Sequence, residues 1–282
     1  ASLSNAARIL FGLAASIHGA VIDRAALITA AGLDAPTANG ALDELLALGL
    51  IQAHSPEIGM HPALKDWARQ RVPASAERQT RLNDIILREA QRRQRMWRRD
   101  LDYPYGTSGL YETSGLRGQL GNLFGAFTAS AQAGDTRRAG AFARVLIPLL
   151  VLSGAWDLWQ RVFQRLLELA QPTDRSLQAW ALHELGTRAL ALQDRPAARQ
   201  LLTQAVSLRQ SIGDQVGAAY SQHNLNFLIA PPPPPHSLTP PKQPVPSTPP
   251  ASSPVPAIAL VAGGLATLAV VGSMLWYAFT SP

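Results

Sequence analysis

Adjacent His183 and Glu184 open the pattern H-E-x-x-H, in which two histidines on one helix face hold zinc and the glutamate serves as base. Thr187 stands where the second histidine is needed. A phosphate-cradling loop requires a lysine directly after a glycine, and the two lysines, Lys65 and Lys242, follow Leu64 and Pro241. Gly106–Gly109 lacks the G-x-S-x-G spacing of a nucleophile elbow. His18, His54, His61, His183, His223 and His236 stand singly rather than at metal-ligand spacing. The chain has no cysteine, which removes disulfides, thiolate catalysis and Cys-ligated metals. No catalytic or metal-ligating residue is assigned, and no enzyme activity is expected of the chain alone.

The elements that remain are those of a binding protein. At 282 residues the chain has room for about two domains of roughly 100–200 residues each. Hydrophobic residues make up 47%, and charged residues, at 16%, fall below the usual ~25%. Two segments account for much of the shortfall. Pro231–Pro256 carries 13 of the 22 prolines and a single charge, Lys242, and Ala257–Phe279 carries none. Residues 1–230 hold 24 basic and 19 acidic side chains, a net of +5 that is too mild for a histone-like protein. No basic region precedes the apolar run within Ala1–Ala20, so no signal peptide and no secreted enzyme is expected. The sequence opens without a methionine, as expected of a piece of a longer protein.

Residues 1–72 read as a winged helix-turn-helix. Ala7, Ile9, Leu10 and Leu13 stripe a first helix over Ser4–Ala15. Asp23 starts a short second helix that Gly32 stops, and Asp34 with Pro36 opens a third carrying Leu42, Leu45, Leu46 and Leu48. Gly49–Ser55 and Ile58–His61 read as two short strands around Pro56, a wing. Such a fold often reads DNA through its third helix, yet Ala25–Leu64 contains no Lys or Arg. Without phosphate neutralisation, DNA is not the expected partner.

Residues 73–115 read as a connecting helix over Ser75–Arg99, rich in arginine from Arg88 onward, and a loop over 100–115. A solvated face is the more frequent fate of such charge runs, with an anionic lipid or nucleic acid as the alternative. Residues 116–230 read as helical repeats: paired helices at Leu116–Ala133 and Asp135–Leu152, then Trp180–Leu192 and Pro196–Leu208. Leu185, Gly186, Ala198, Leu202 and Ala205 fit tetratricopeptide (TPR) positions, where small residues let paired helices approach. Leu225 follows Leu185 by 40 residues, and Ser153-Gly154 precedes Gln193-Asp194 by the same interval. A plain helical bundle is the competing reading. A solenoid would offer a concave groove for a protein or peptide, with Gln178, His183, Arg188 and Asn224 as polar lining.

Residues 231–256 read as a disordered proline-rich linker, because proline lacks the donor that helices and ladders require. Ala257–Phe279, 23 residues without charge, reads as a single transmembrane helix. Every positive charge lies before it, which predicts a single-pass membrane protein with residues 1–256 cytoplasmic. Ala259 with Gly263, and Ala262 with Ala266, have the small-residue spacing that permits self-association.

Gly59-Met60-His61-Pro62-Ala63-Leu64-Lys65-Asp66-Trp67-Ala68 resembles the end of the winged helix in STAND-class signal-transduction ATPases, the NB-ARC group in particular. Gln119–Leu123 with Ala131–Asp135, Leu152–Trp156 and Ala219–Leu225 resemble the helical and TPR segments of their sensor arrays. The resemblance covers about residues 4–228. It implies a mainly α regulatory and sensor half that lacks its own nucleotide-binding domain, so ADP or ATP would enter only with an upstream ATPase domain. There His61 would match the histidine of a Met-His-Asp motif that contacts the ADP phosphate, although Pro62 replaces the Asp. The expected function is a membrane-tethered signalling or scaffold protein. The alternatives are a membrane-anchored winged-helix transcription regulator and a proline-tethered adaptor with no link to nucleotides.

Overall fold

A computed structural model describes residues 2–101, 118–170 and 174–228. Among them are eleven helices and three short strands, so the chain is mainly α. They fall into two compact units that divide between Gln178 and Ala179.

The first unit opens with α1 (Asn5–Ser16), whose Ala7 N–H is capped by the Ser4 hydroxyl at 3.1 Å. After β1 (Val21–Asp23) come α2 (Arg24–Ala31) and α3 (Ala35–Ala47), N-capped by Asp23 and Asp34. Gly32 ends α2 at φ +68°, a conformation that only glycine takes without strain. β2 (Gln52–His54) and β3 (Glu57–Gly59) flank a cis Ser55–Pro56 bond. The antiparallel sheet has the order β1-β3-β2, with Ile22 opposite Ile58, both buried. α4 (Pro62–Arg71) follows directly. The three expected helices and the hairpin are present, with β1 and α4 in addition. β1 is too short to show alternation, and α4 turns only Lys65 and Ala68 fully inward.

α5 (Ala76–Leu101) lays Leu82, Ile86 and Ala90 against the unit and leaves arginines on its outer side. α6 (Leu120–Gln132), α7 (Thr136–Ser153) and α8 (Trp156–Ala170) fold back on one another, and Arg138 of α7 meets Asp84 of α5 at 3.0 Å. α8 buries Trp159, Val162, Phe163 and Leu166. The second unit holds most of α9 (Arg175–Ala191), with α10 (Arg195–Ser211) and α11 (Gln215–Asn226). Gly186 fits the expected close approach: an added Cβ would lie 2.8 Å from the Leu202 side chain, with Ala198 and Ala205 fully buried nearby.

One turn occurs five times among the described residues. Gly49, Gly134, Gly154, Gln193 and Gly213 each adopt positive φ, and the next residue donates its N–H back five positions at 2.9–3.0 Å, as Asp135 does to Ser130 and Asp194 to Ala189. This is the left-handed helix stop that satisfies orphaned carbonyls. It also corrects the repeat. Gly154 matches Gln193, an interval of 39 rather than 40. Fully buried Trp159, Phe163 and Leu166 then take the places of Ala198, Leu202 and Ala205.

The single-pass membrane localisation expected from Ala257–Phe279, with residues 1–256 cytoplasmic, is corrected: among the described residues no helix is long and apolar enough to cross a membrane. The long apolar helix α7 carries Arg137, Arg138 and Arg144 along its 18 residues, and charges at such depth are costly. Ala257–Phe279, Pro231–Pro256 and the loop over 102–115 lie outside the described residues.

Three glycine-related substitutions test the packing. A methyl on Gly12 would overlap the Val72 carbonyl oxygen, so Gly12→Ala is expected to destabilise by about 1–3 kcal/mol. Gly40, exposed on α3 with nothing within 4 Å of an added Cβ, should gain about 0.5–1 kcal/mol on Gly40→Ala. Gln193 holds φ +61°, and Gln193→Gly should stabilise by about 1 kcal/mol. Urea denaturation of the three variants measures each sign.

Candidate functional site

His61 sits at the mouth of a cavity of about 550 Å³ in the first unit, formed by the loop after α1, the β2–β3 hairpin and one face of α4. Its Nδ1 accepts the Ala63 N–H at 3.3 Å, which makes it the N-cap of α4, with Pro62 in the first turn. Positions 61, 65 and 69 recur every four residues and so share a helix face. His61, Lys65 and Arg69 therefore line one wall, and His18 and His54 line the cavity too. Asp66 is the acidic residue in the lining.

The two cations are already engaged. Lys65, buried, donates to the Gly19 carbonyl. Arg69 donates to Ala15 O at 2.8 Å and Ile17 O at 2.9 Å and pairs with Asp66 at 2.9 Å. They thus neutralise the carbonyl end of α1, where its dipole is negative. Burial, chiefly, and then the charges of Arg69 and Lys65 lower the His18 pKa below its ordinary value. Burial and Arg69 lower that of Lys65. Added positive charge is disfavoured here until an anion enters.

α6 holds the loop in place. Asn122 accepts the Gly19 N–H at 2.6 Å and donates to the Val21 carbonyl at 2.9 Å. The helix comes close enough that a Cβ on Gly121 would lie 3.0 Å from the Gly19 Cα, and one on Gly125 would overlap the His18 ring.

The four expected groove residues divide. Gln178 and Arg188 are half-buried on α9. His183 and Asn224 are buried, 2% and 5% exposed, which takes both out of any surface groove. They belong to a polar layer between helices of the second unit. His183 Nδ1 lies 3.0 Å from the Ser221 hydroxyl, which also receives Arg209 at 3.1 Å. Arg209, 2% exposed, donates to Gly217 O as well. Asn224 donates to Thr187 Oγ1 at 2.9 Å, and Trp180 to Glu184 at 3.1 Å. The Ser221 hydroxyl, with one proton and two lone pairs, takes the Arg209 donor and still has capacity for His183 Nδ1, whose role follows the tautomer. The buried group acts as a specificity lock for helix pairing, since leaving any member unpaired costs about 1–3 kcal/mol.

Sequence spacing did not reveal that three histidines ring one cavity or that Arg209 and Ser221 complete a buried layer. The four-residue interval from His61 through Lys65 to Arg69 was the legible signal. Among the described residues, no three His, Asp or Glu side chains are grouped to hold a metal. Comparison with known proteins finds no matching family model, no matching curated protein and no matching solved structure.

The pKa of His183 is driven well below its ordinary value, first by burial and then by Arg209. The unfolded chain takes up a proton near pH 6.5 that the folded state refuses, so stability is full above that pH and falls below it. The loss from this residue approaches about 1.4 kcal/mol per pH unit. Denaturation midpoints measured from pH 7.5 to 5 should fall for the parent chain and fall less for His183→Gln, which keeps a polar group facing Ser221.

Proposed function

We propose that the chain is the regulatory and protein-binding sensor part of a STAND-like signalling ATPase. Residues 1–72 serve as a winged helix-turn-helix, and residues 116–230 as TPR-like repeats. The observation that carries this reading is the position of His61. It caps α4 at the mouth of a cavity rich in basic residues, where an imidazole can meet an anionic phosphate presented by a neighbouring domain. The helix hairpins support it, with their repeated left-handed turn and 39-residue interval. A protein or peptide is the partner of the repeats, and no reaction is assigned to the chain itself. DNA is not favoured, because α3 carries Asp43 and Glu44 and no Lys or Arg.

Lys65 and Arg69 spend their donors on backbone carbonyls, leaving His61 as the main new contact for a phosphate. One charge-assisted hydrogen bond contributes roughly 1.5–3 kcal/mol, against the ~8 kcal/mol that micromolar affinity requires. The chain alone should therefore bind ADP no more tightly than millimolar. If an ATPase domain is encoded upstream, the chain joined to it should bind ADP, and His61→Asn should weaken that binding about tenfold or more. Asparagine is a good N-cap, so α4 survives the change and the thermal midpoint should hold. Calorimetric titration of ADP into both forms is the test. Equal affinities reduce His61 to a helix cap, and the absence of an upstream ATPase domain removes the reading.

A further inference from the structure

Asp23 and Glu57 face each other directly across β1 and β3. Side chains so opposed stand about 4.5–5.5 Å apart at Cβ, and like charges there are destabilising. Among the described residues neither carboxylate has a cationic partner. Asp23 accepts the Ala26 N–H at 2.9 Å, and Glu57 accepts the Gln119 amide at 3.0 Å. His54 opposes Glu57 from β2, but its ring is turned onto Gly59, where Nε2 would lie 3.1 Å from an added Cβ.

Both carboxylates line a cavity of about 330 Å³ whose walls include Ile22, Ile85, Ile86, Ala90 and Leu123. Glu89 and Arg93 also line it; Arg93 pairs with Glu89 at 2.8 Å, and Arg92, outside the lining, pairs with the same carboxylate at 2.7 Å. The lining carries three carboxylates against one guanidinium, and Asp23 and Glu57 are the two without an ion pair among the described residues. An apolar chamber with two uncompensated carboxylates on one strand pair is complementary to a body that is apolar on one side and cationic on the other.

We propose that this cavity binds a small amphipathic amine, its ammonium seated between Asp23 and Glu57 and its apolar body against the isoleucines. The volume lies at the low end of ligand pockets, which run from about 300 to 1,000 Å³, so the ligand is one ring with a short chain. A divalent metal is a poorer match. Calcium takes six to eight oxygens and magnesium six, and here two carboxylates stand beside a Gln119 amide that presents N–H to Glu57. The proposal is independent of the ATPase reading, which concerns the cavity around His61.

The probe is 2-phenylethylamine, titrated calorimetrically into the full chain at pH 7.5, with 2-phenylethanol, 3-phenylpropanoate and Mg²⁺ titrated separately. Saturable binding of the amine is expected, at least tenfold weaker binding of the alcohol, and none of the carboxylate or the metal. Glu57→Gln keeps an acceptor for Gln119 and should weaken the amine tenfold or more. In the absence of ligand it should raise the thermal midpoint by about 1–3 °C by relieving the like-charge pair. Ala26→Phe, which fills the cavity at its edge, should abolish binding while circular dichroism stays unchanged. The proposal is overturned by no saturable amine binding up to 10 mM ligand, by alcohol binding as tightly as the amine, by preferential binding of Mg²⁺, or by unaltered amine affinity in Glu57→Gln.

Discussion

The Asn122 amide of α6 ties the loop after α1 to the helices that follow α5, beside the Gln119–Glu57 hydrogen bond and the Arg138–Asp84 ion pair. It meets the backbone of the loop after α1 from both sides, accepting from Gly19 and donating to Val21. An amide matches a peptide edge because it offers a donor and an acceptor at fixed separation. The match requires the helix and loop to touch, which is why Gly19 and Gly121 oppose each other and why Gly125 faces the His18 ring. The contact fixes the loop that forms one side of the cavity at His61. The loop sets His18 and offers its carbonyls to Lys65 and Arg69, and those cations in turn hold α4.

The helices of the second unit are held together differently. Their core mixes small and large apolar side chains: Ala198 and Ala205 are fully buried, Leu202 packs against Gly186 of α9, and Trp180, Leu185 and Val206 are buried as well. Directional contacts add to this packing. His183, Ser221 and Arg209 on the one hand, and Thr187 and Asn224 on the other, hydrogen-bond across α9, α10 and α11. The equivalent places one interval earlier hold Trp159, Phe163 and Leu166, all fully buried, so the first unit fills them with bulk instead. The same turn therefore serves two kinds of interface.

These differences govern what was legible beforehand. Local chemistry was readable: Asp23, Asp34 and Asp135 start helices, and Gly32 ends one. β1 and α4 were not, because three residues show no period and a helix that buries a lysine has no apolar stripe. The repeat was placed one residue out since Gln193, a residue seldom found at positive φ, hid the match to Gly154. His183 and Asn224 were assigned to a groove because polar residues are usually outside. α9 is buried without a break from Ala179 to Thr187, so no face of it distinguishes inside from outside. His61 was found through its neighbours in sequence, while His18 and His54 reach the same cavity only through the third dimension.

The three-residue sheet also separates two electrostatic environments. At one end, Val21 and Gly59 border a cavity with His18, Lys65 and Arg69. At the other, two residues along the same strands, Asp23 and Glu57 border an apolar cavity with surplus negative charge. Two residues of extended chain span only about 6.5–7 Å, within the ~8 Å screening length of physiological salt. Each charge set therefore stabilises the other through the sheet and is weakened when its neighbour is neutralised. An anion bound near His61 would partly offset the Lys65 and Arg69 charges and so sharpen the repulsion between Asp23 and Glu57. A cation bound between those carboxylates would then be held more tightly. By linkage the effect would be reciprocal, so opposite charges bound at the two ends of this sheet would assist one another through the field alone.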